Sequence, residues 1–352
     1  MGGQGRRMGY VDKGQIGYEG RTFLERIREE LGALNLPFVL STADREDLTG
    51  DDGVVYVKDI LKLTDGRGAG PMGGIWSCFQ KTGAEGFFVV SCDMPLFRKE
   101  MFQLLMKRIQ PEYDGVLWRT RDGRIQPLCG FYSRSCLVEM TKAVEEGNYR
   151  MMEFLSKRNC LIVDTSSEHI PDSWFINVNS QEVLEKLRNR KTPVLAVSGR
   201  KNTGKTTLLE GLVETLSSSG IRAAVIKHDG HEFDADVPGT DSWRMKKAGA
   251  YASAVYSGTK FSLVKEKEGL EAEDLFQYVP EADIILLEGQ KHSEFLKLET
   301  VRKDISSVPV CRPDTVLAYV SEGVLSLPGP VYGFQDRDGL SELIVEVLDG
   351  HF

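Results

Sequence analysis

Short apolar runs alternate with amphipathic segments along the first half of the chain. The runs predict strands at 37–40, 54–57, 87–91, 115–118 and 128–132, and the run at 87–91 is typical of a strand buried on both faces. Apolar positions at helical spacing predict one helix with Thr22 as its N-cap and three further helices at 75–79, 102–109 and 136–145. Strands that alternate with helices in this way predict a parallel sheet flanked by helices.

The second half repeats this alternation after a charged segment at 184–191 that contains no strand pattern. Apolar runs predict strands at 193–197, 223–226, 252–256 and 283–287, and helical patterns cover 205–216, 241 onward and 339–348. The sequence therefore predicts an α/β protein of two tandem three-layer α/β domains, 1–190 and 191–352. A chain of 352 residues is long enough for two such cores.

One motif stands between the first strand and the first helix of the second domain. Gly199 to Thr206 fits G-x-x-x-x-G-K-[ST] in the strand–loop–helix context that this pattern requires. The two glycines let backbone N–H groups turn toward a phosphate, the lysine adds a mobile charge, and the threonine hydroxyl suits Mg²⁺. The motif predicts a P-loop NTPase domain whose nucleotide-binding residues are Gly199, Asn202, Thr203, Gly204, Lys205, Thr206 and Thr207.

Composition narrows the class of protein further. The formal net charge of −8 argues against a nucleic-acid partner, which would require a basic face. Six scattered cysteines without a C-x-x-C pair indicate reduced thiols, as in a cytoplasmic protein. No apolar run approaches about 18 residues, so neither a membrane span nor a signal peptide is expected.

The candidate chemistry of the first domain gathers around Asp93, which follows a predicted strand where ligands of open α/β sheets bind. If the sheet is parallel, glycine-rich loops at 2–9 and 66–74 reach the same edge, together with Arg7 and Lys13. Glycine loops and cations bind triphosphates, and Asp93 offers the carboxylate contact that Mg²⁺ prefers. This pattern predicts phosphoryl or nucleotidyl transfer, with a simple binding site as the alternative.

The same residues carry a resemblance to a known family. Gly2-Gly3-Gln4-Gly5-Arg6-Arg7-Met8-Gly9 with Asp12-Lys13 resembles the nucleotide-binding signature of the molybdenum cofactor guanylyltransferases (MobA), which are Rossmann-like nucleotidyltransferases. Gly70-Pro71-Met72-Gly73-Gly74, Cys92-Asp93-Met94-Pro95 and the segment 175–180 are similar to its later motifs. The resemblance covers about the first 188 residues.

The resemblance implies a role for individual residues. Lys13, Asp93 and Arg7 would be catalytic, and Asp93 would hold Mg²⁺. GTP would be contacted by Gly2, Gly3, Lys13, Thr42, Asp59 and Asp93, with Thr42 or Asp44 where the family usually has asparagine. Asn177 and Asn179 would lie near the pterin, although on their own they are equally typical of a turn before a helix.

The start of the chain departs from the family's pattern, as does Thr42 in place of the usual asparagine. The family's glycine loop follows an apolar strand, whereas here the chain begins with the loop itself. Loss of three or four buried aliphatic side chains would cost about 5–12 kcal/mol, comparable to the stability of a whole domain. The expectation is that the natural start lies upstream of Met1.

The second domain contains further ionisable residues. His228, His231 and nearby aspartates suggest a transition-metal site, but a nucleotide or effector loop is the favoured interpretation because no helix presents these ligands. Glu288 ends an apolar strand, as Mg²⁺-associated carboxylates of P-loop proteins do, or is simply a turn carboxylate. Thr206 and Glu288 are thus candidate metal ligands, and no N-K-x-D guanine-reading motif is present.

Residues 199–207, 227–244 and 287–289 resemble the GTP-binding adapter protein of the same pathway, MobB, over about 192–349. That resemblance implies an adapter with weak GTPase activity at most. The expected function is transfer of GMP from GTP to molybdopterin or its molybdenum form, with a fused GTP-binding domain and Mg²⁺ as cofactor. Molybdoenzymes or their chaperones would accept the product, and a homo-oligomer is possible. The rival hypotheses are a cytidylyl or sugar-nucleotide transferase and a cofactor-delivery module without transferase activity.

Overall fold

The structure is a computed structural model, which describes residues 13–42, 54–61, 69–229, 233–323 and 325–351. The chain divides into two compact units. The first unit contains residues 1–191, 218–220 and 338–352, and the second contains 192–217 and 221–337. The predicted domain limits of 1–190 and 191–352 stay a prediction.

Helices and strands alternate through the described ranges. The strands are β1 Gly17–Tyr18, β2 Arg21–Thr22, β3 Val39–Thr42, β4 Val55–Lys58, β5 Gly86–Val90, β6 Gly115–Arg119, β7 Ile125–Ser133, β8 Cys160–Asp164, β9 Val194–Gly199, β10 Ala223–Lys227, β11 Ala252–Tyr256, β12 Phe261–Lys265, β13 Ile284–Glu288, β14 Leu296–Val301, β15 Val316–Ser321 and β16 Val331–Tyr332. The α-helices are α1 Phe23–Gly32, α2 Gly70–Thr82, α3 Lys99–Met106, α4 Cys136–Glu145, α5 Met151–Leu155, α6 Gln181–Arg188, α7 Lys205–Ser218, α8 Asp241–Lys247 and α9 Arg337–Gly350. The predicted α/β fold is confirmed.

Helix α1 begins where the sequence predicts. Thr22 is its N-cap, and the Thr22 hydroxyl accepts a hydrogen bond from the backbone N–H of Glu25 at 3.2 Å. The Glu25 carboxylate in turn accepts from the backbone N–H of Thr22 at 2.7 Å, which completes a capping box. These reciprocal bonds satisfy N–H groups that the first helical turn would otherwise leave unpaired.

The four-stranded sheet of the first unit has the order β5-β7-β6-β8. Only the β6–β8 pair is parallel, since β7 runs antiparallel to both β5 and β6. The prediction of a wholly parallel sheet is therefore wrong for this unit. The reason is local: β6 and β7 are joined by the short turn 120–124, and such a short connection can join only antiparallel neighbours. Strands β3 and β4 form a separate parallel pair.

Strand β5 also differs from its predicted environment. All five of its residues are half-buried, whereas the sequence predicts burial on both faces. Among the described residues β5 stands at one end of the strand order and pairs only with β7. An end strand is covered by neighbouring strands on one side alone, so an apolar sequence does not ensure full burial.

The core of the first unit lies between this sheet and helices α2 and α4. Its largest cluster joins buried side chains of both helices to the sheet and to α5: Met72, Ile75, Phe79, Leu117, Tyr132, Cys136, Met140, Met151, Phe154 and Leu155. A fully buried side chain of this size contributes about 1.5–3 kcal/mol. This packing fixes α2, whose N-terminal turn borders the candidate site, against the sheet.

The second unit is built on a parallel sheet of order β10-β13-β9-β14-β15-β16. Strand β9 lies between β13 and β14, and its residues 195–198 are buried. The carboxyl ends of these strands share one edge, where ligands of open α/β sheets bind. The predicted strand at 252–256 exists as β11, but it pairs with β12 in a separate antiparallel hairpin.

Across the described ranges, every helix is too short or too polar to cross a bilayer. The six cysteines are free thiols: Cys78, Cys92, Cys129, Cys136, Cys160 and Cys311.

Candidate functional site

The structure brings Lys13 and Asp93 together in the first unit. Lys13 Nζ donates to Asp93 Oδ2 at 2.8 Å, and the two side chains are only 17% and 12% exposed. The pair lies just beyond the carboxyl end of β5, because Asp93 follows Val90 by three residues. A lysine and an aspartate in this position can exchange their mutual contact for a phosphate and a metal ion.

Asp93 is held from two further directions. The Ser91 hydroxyl donates to Asp93 Oδ1 at 2.5 Å, so both carboxylate oxygens are engaged. The backbone carbonyl of Asp93 accepts from the N–H of Val178 at 2.8 Å. That bond brings the segment carrying Asn177 and Asn179 beside the Asp93 turn. Asn177 is half-buried and donates to the carbonyl of Phe175, whereas Asn179 is exposed.

Thr42 and Asp59 form a second part of the candidate site, at the ends of β3 and β4. Both residues are buried, and the backbone N–H of Asp59 donates to the Thr42 carbonyl at 2.8 Å. Burial raises the pKa of Asp59, although its Oδ1 accepts from the N–H of Leu61 and the hydroxyl of Ser77. This carboxylate is therefore an acceptor whose charge is incompletely compensated.

Helix α2 approaches Asp59 closely because position 73 is glycine. A Cβ at Gly73 would lie 3.2 Å from Asp59 Oδ1 and 2.7 Å from the Cβ of Ala69. At Gly74 a Cβ would lie 2.8 Å from the hydroxyl of Ser41, on β3. The two glycines thus allow the first turn of α2 to pack closely against the ends of β3 and β4.

Three predicted site residues, Gly2, Gly3 and Arg7, lie outside the described residues, as does Asp44. The same is true of positions 66–68 in the second glycine loop and of His231 in the second unit. Their predicted roles stay predictions.

The loop of the second unit has the geometry that its motif predicts. Strand β9 ends at Gly199 with a φ of 139°, and α7 begins at Lys205, directly after Gly204 with a φ of 95°. A Cβ at Gly199 would lie 2.5 Å from the carbonyl oxygen of Thr300. Asn202, between the glycines, also has a positive φ of 65°. Only glycine meets both requirements of position 199 without strain.

A hydroxyl pair fixes this loop to strand β14. Thr203 Oγ1 and Thr300 Oγ1 lie 2.6 Å apart and are buried. Thr203 Oγ1 also lies 2.8 Å from the carbonyl oxygen of Arg200, and Thr300 Oγ1 lies 3.1 Å from that of Ser198. The two hydroxyl protons serve these three contacts, so one hydroxyl donates to the other, which in turn donates to its carbonyl. Thr203 is therefore a residue that shapes the loop from within.

Lys205 and Thr206 stand at the start of α7. Lys205 Nζ donates to the carbonyl of Arg200 at 2.8 Å, so the side chain reaches back over the loop. Burial is the main cause that lowers the pKa of Lys205, against the opposing charge of Glu288. Thr206 Oγ1 donates to Glu288 Oε1 at 3.1 Å, and Thr207 is exposed. The structure thus brings together both metal-ligand candidates of this unit.

In the described part of the chain no group of three or more His, Cys, Asp or Glu side chains could hold a metal ion. His231 of the candidate transition-metal cluster lies outside that part, so this alternative stays a prediction. The backbone N–H of His228 donates to the carbonyl of Glu288 at 3.2 Å. A single carboxylate beside a phosphate loop fits Mg²⁺, which binds one or two carboxylates and takes its other ligands from phosphates and water.

Sequence reasoning misses several residues next to these groups. Ser91 and Thr300 have no motif of their own, and Arg302 and Phe334 lie beside Gly204 only after folding. A usable signal exists for Thr300, because it is near the carboxyl end of a strand of alternating apolar and polar residues, where ligands of open α/β sheets bind. Ser91 also lies at a strand end, two residues before Asp93.

These observations define an α/β protein with a carboxylate–lysine site at the strand ends of one unit and a P-loop in the other. Residues 1–163 match the family described as MobA-like NTP transferase domain. Residues 194–322 match the family described as molybdopterin guanine dinucleotide synthesis protein B.

Individual relatives match each part. The molybdopterin-guanine dinucleotide biosynthesis adapter protein of Escherichia coli is 36% identical over 162 residues, covering 44% of this chain and 92% of that protein. A probable molybdenum cofactor guanylyltransferase of Methanosarcina acetivorans is 32% identical over 195 residues, covering 53% of this chain and 86% of that protein. A crystal structure of molybdopterin-guanine dinucleotide biosynthesis protein A from Archaeoglobus fulgidus is 19% identical, with a TM-score of 0.43, and covers 53% of this chain and 93% of that one.

The chain belongs to the molybdenum cofactor guanylyltransferase family in its N-terminal part and to the molybdopterin-guanine dinucleotide biosynthesis adapter family in its C-terminal part. Both predicted families are confirmed. The N-terminal part is accordingly a nucleotidyltransferase domain.

Proposed function

We propose that the first unit transfers GMP from GTP to molybdopterin and so forms the guanine dinucleotide form of the molybdenum cofactor. The observation that carries the proposal is the Lys13–Asp93 contact beyond the end of β5, inside the part of the chain that matches the transferase family. Family membership favours guanylyl transfer over the cytidylyl or sugar-nucleotide alternative.

The proposed reaction is a single displacement at phosphorus. An oxygen of the terminal phosphate of molybdopterin attacks the α-phosphorus of GTP, the bond from that phosphorus to the bridging oxygen breaks, and pyrophosphate leaves with the electron pair. Both reactants are anions, so positioning and charge neutralisation are the main requirements. No covalent intermediate with the protein is needed.

Lys13 supplies the positive charge in this proposal. Its ammonium group would leave Asp93 Oδ2 for the triphosphate, a move of a few ångströms that its flexible stem permits. Arg7 would add a second cation. Gly2 and Gly3 would leave room for the phosphates, while Thr42 and Asp59 would contact the nucleoside.

Asp93 would hold the Mg²⁺ ion, which when bound neutralises charge on the phosphates. Ser91 orients this carboxylate through its 2.5 Å hydrogen bond, and the backbone bond from Val178 fixes the turn. The same bond to Val178 supports a pterin-binding role for Asn177 and Asn179, because it brings their segment to the metal ligand.

In the second unit we propose a GTP-binding adapter with weak GTPase activity at most. Lys205 and the backbone from Gly199 to Gly204 would bind the phosphates, and Thr206 with Glu288 would hold Mg²⁺. Lys205→Ala should abolish GTP binding by this unit while transfer by the first unit continues. Covalent linkage raises the effective concentration of one unit near the other.

The partners proposed outside the chain are molybdoenzymes or their chaperones, which would take the finished cofactor in the cytoplasm. A homo-oligomer is compatible with this function but is not required by it.

One experiment separates the three functional hypotheses. The protein is incubated with molybdopterin, Mg²⁺ and each labelled nucleoside triphosphate in turn, and pyrophosphate release and the product are measured. A guanylylated product supports the proposal. A different nucleotide in the product would favour the alternative transferase. If no nucleotide gave a product, the hypothesis of a delivery module without transferase activity would be supported.

A further inference from the structure

An aromatic ring and a guanidinium group lie directly against the P-loop. A Cβ at Gly204 would lie 2.9 Å from Cε1 of Phe334 and 3.6 Å from Nη2 of Arg302. Neither residue belongs to the phosphate-binding motif, since Arg302 follows β14 and Phe334 follows β16. Both reach the loop from the carboxyl ends of these strands.

The strand order tells which side of the loop these residues occupy. Strand β9, which leads into the loop, has β13 with Glu288 on one side and β14 on the other. Thr206 contacts Glu288, so the metal and the terminal phosphates belong to the β13 side. A nucleotide bound along this loop must direct its nucleoside away from that metal, which leads toward β14, β15 and β16.

On that side the side chains of Arg302, Glu322 and Phe334 form one connected group. The Arg302 guanidinium stacks over the Phe334 ring, with Cζ 5.0 Å from the ring centroid. Its Nη2 donates to Glu322 Oε1 at 3.1 Å, and this bond leaves the second carboxylate oxygen outside the ion pair. Arg302 Nε is buried and has no hydrogen-bond partner among the described residues. We call Arg302, Glu322 and Phe334 the Arg302 group.

The chemistry of this group suits a nucleobase. Planar guanidinium and aromatic groups stack on bases of any identity, whereas a carboxylate discriminates between them. Guanine presents two adjacent donors, its N1–H and its 2-amino group. Adenine presents an unprotonated N1 acceptor at the equivalent edge, which a carboxylate repels. Glu322 is 64% exposed, so a ligand can reach it.

We propose that the Arg302 group holds the base of the nucleotide bound by the P-loop, and that Glu322 selects guanine. The inference rests on the proposed nucleotide binding by the second unit, and it supplies the base recognition that the missing N-K-x-D motif leaves unassigned. Stacking on Arg302 and Phe334 provides affinity, and the Glu322 carboxylate provides specificity.

The test uses the full chain with Asp93→Ala, so that the first unit's triphosphate site is weakened. Calorimetric titrations with Mg²⁺ and GTP, inosine triphosphate, ATP and tripolyphosphate are compared among variants. Glu322→Gln should lower the affinity for GTP by at least about ten-fold, the loss expected for a hydrogen bond to a charged group. Binding of tripolyphosphate should change by less than about two-fold, since it has no base to meet the carboxylate, and ATP binding should strengthen because the repulsion of adenine N1 is removed.

Phe334→Leu keeps an apolar side chain against Gly204 but removes the aromatic face. This variant should bind GTP and ATP more weakly, and to the same extent, through loss of stacking, and its affinity for tripolyphosphate should be unchanged. Glu294→Gln is the matched control, because Glu294 is also an exposed glutamate paired with an arginine, Arg312. It should alter none of these affinities.

Equal effects of Glu322→Gln on GTP and ATP, or no effect on either, would overturn the guanine selection. Weakened tripolyphosphate binding in Phe334→Leu would mean that the ring shapes the phosphate loop and does not bind the base. Failure of the parent protein to bind any triphosphate, or binding that Lys205→Ala leaves intact, would overturn the proposed P-loop function and this inference with it.

Discussion

Arg121 donates through Nε and Nη2 to the two carboxylate oxygens of Glu342, each at 2.9 Å, although 221 positions separate the two residues. Arg121 lies in the turn between β6 and β7, and Glu342 lies on α9. Both belong to the first unit, which includes residues 338–352. Nη1 of the same guanidinium donates to Asp172 and to the carbonyl of Ile170.

The same helix makes a second contact with this region. The Asp349 carboxylate accepts from the backbone N–H groups of Asp172 and Ser173 at 3.0 and 2.9 Å. These donors begin the 3-10 helix Asp172–Phe175, just before the segment that carries Asn177. Helix α9 thus steadies a turn that leads into the candidate pterin segment.

Glu342→Gln should lower the free energy of unfolding by about 1.5–3 kcal/mol at neutral pH, the range for a hydrogen-bonded charged group. Urea unfolding followed by tryptophan fluorescence measures this difference. The control is Glu182→Gln, which breaks the more exposed Lys186–Glu182 pair and should cost about 1 kcal/mol or less.

The effect of Glu342→Gln should depend on pH. Burial alone would raise the pKa of Glu342, but the hydrogen bond and charge of Arg121 outweigh burial and hold the pKa below its ordinary value of 4.5. A lowered acid pKa gives stability that is present above pH 4.5 and is lost as the pH falls through the folded pKa. The difference between wild type and variant should therefore shrink on acidification. Burial raises the pKa of Asp349, an effect of opposite sign that both proteins share and that cancels in the comparison.

Lys13→Ala and Asp93→Asn should each abolish guanylyl transfer, with a loss of at least about 100-fold, because each removes a group that offsets developing charge. Product formation under single-turnover conditions is the measurement. Lys107→Ala removes an exposed lysine after α3 and should leave the rate unchanged. Full activity in either site variant would exclude that residue from the mechanism.

Gly73→Ala should destabilise the first unit by roughly 1–3 kcal/mol, the usual cost of overpacking. The added Cβ would lie 2.7 Å from Ala69 Cβ and would press on Asp59. Thermal unfolding of the full chain reports the change. Gly32→Ala is the matched control in a helix, since a Cβ there meets no atom within 4 Å, and it should be neutral or stabilising. Similar melting temperatures for the two variants would show that α2 can move away from Asp59 at little cost.

Gly199→Ala should greatly weaken GTP binding by the second unit. Its φ of 139° is unfavourable for alanine, and its Cβ would meet the Thr300 carbonyl at 2.5 Å. Gly211→Ala tests the adjacent helix α7, where a Cβ would meet Arg337 atoms only at 3.7 Å and beyond, and binding should persist. Equal affinities of the two variants for GTP would contradict a phosphate-binding role for the loop.

Features specified by neighbouring residues follow from the sequence itself. The capping box from Thr22 to Glu25 spans four residues, and the P-loop from Gly199 to Thr206 spans eight, so a local pattern contains all the groups involved. Both elements form where the sequence predicts them. The resemblance of both parts to their families is also carried by motifs of this local kind.

Tertiary structure alone decided the relationships between distant segments. The strand order β5-β7-β6-β8, the 80-residue separation bridged by Lys13 and Asp93, and the pairing of Arg121 with Glu342 have no periodic signature in the chain. Hydrophobic periodicity says which face of an element is buried, but not which element covers it. That choice depends on packing and charge complementarity among segments that meet only after folding, and for this reason the Arg302 group beside Gly204 could be found only in the folded chain.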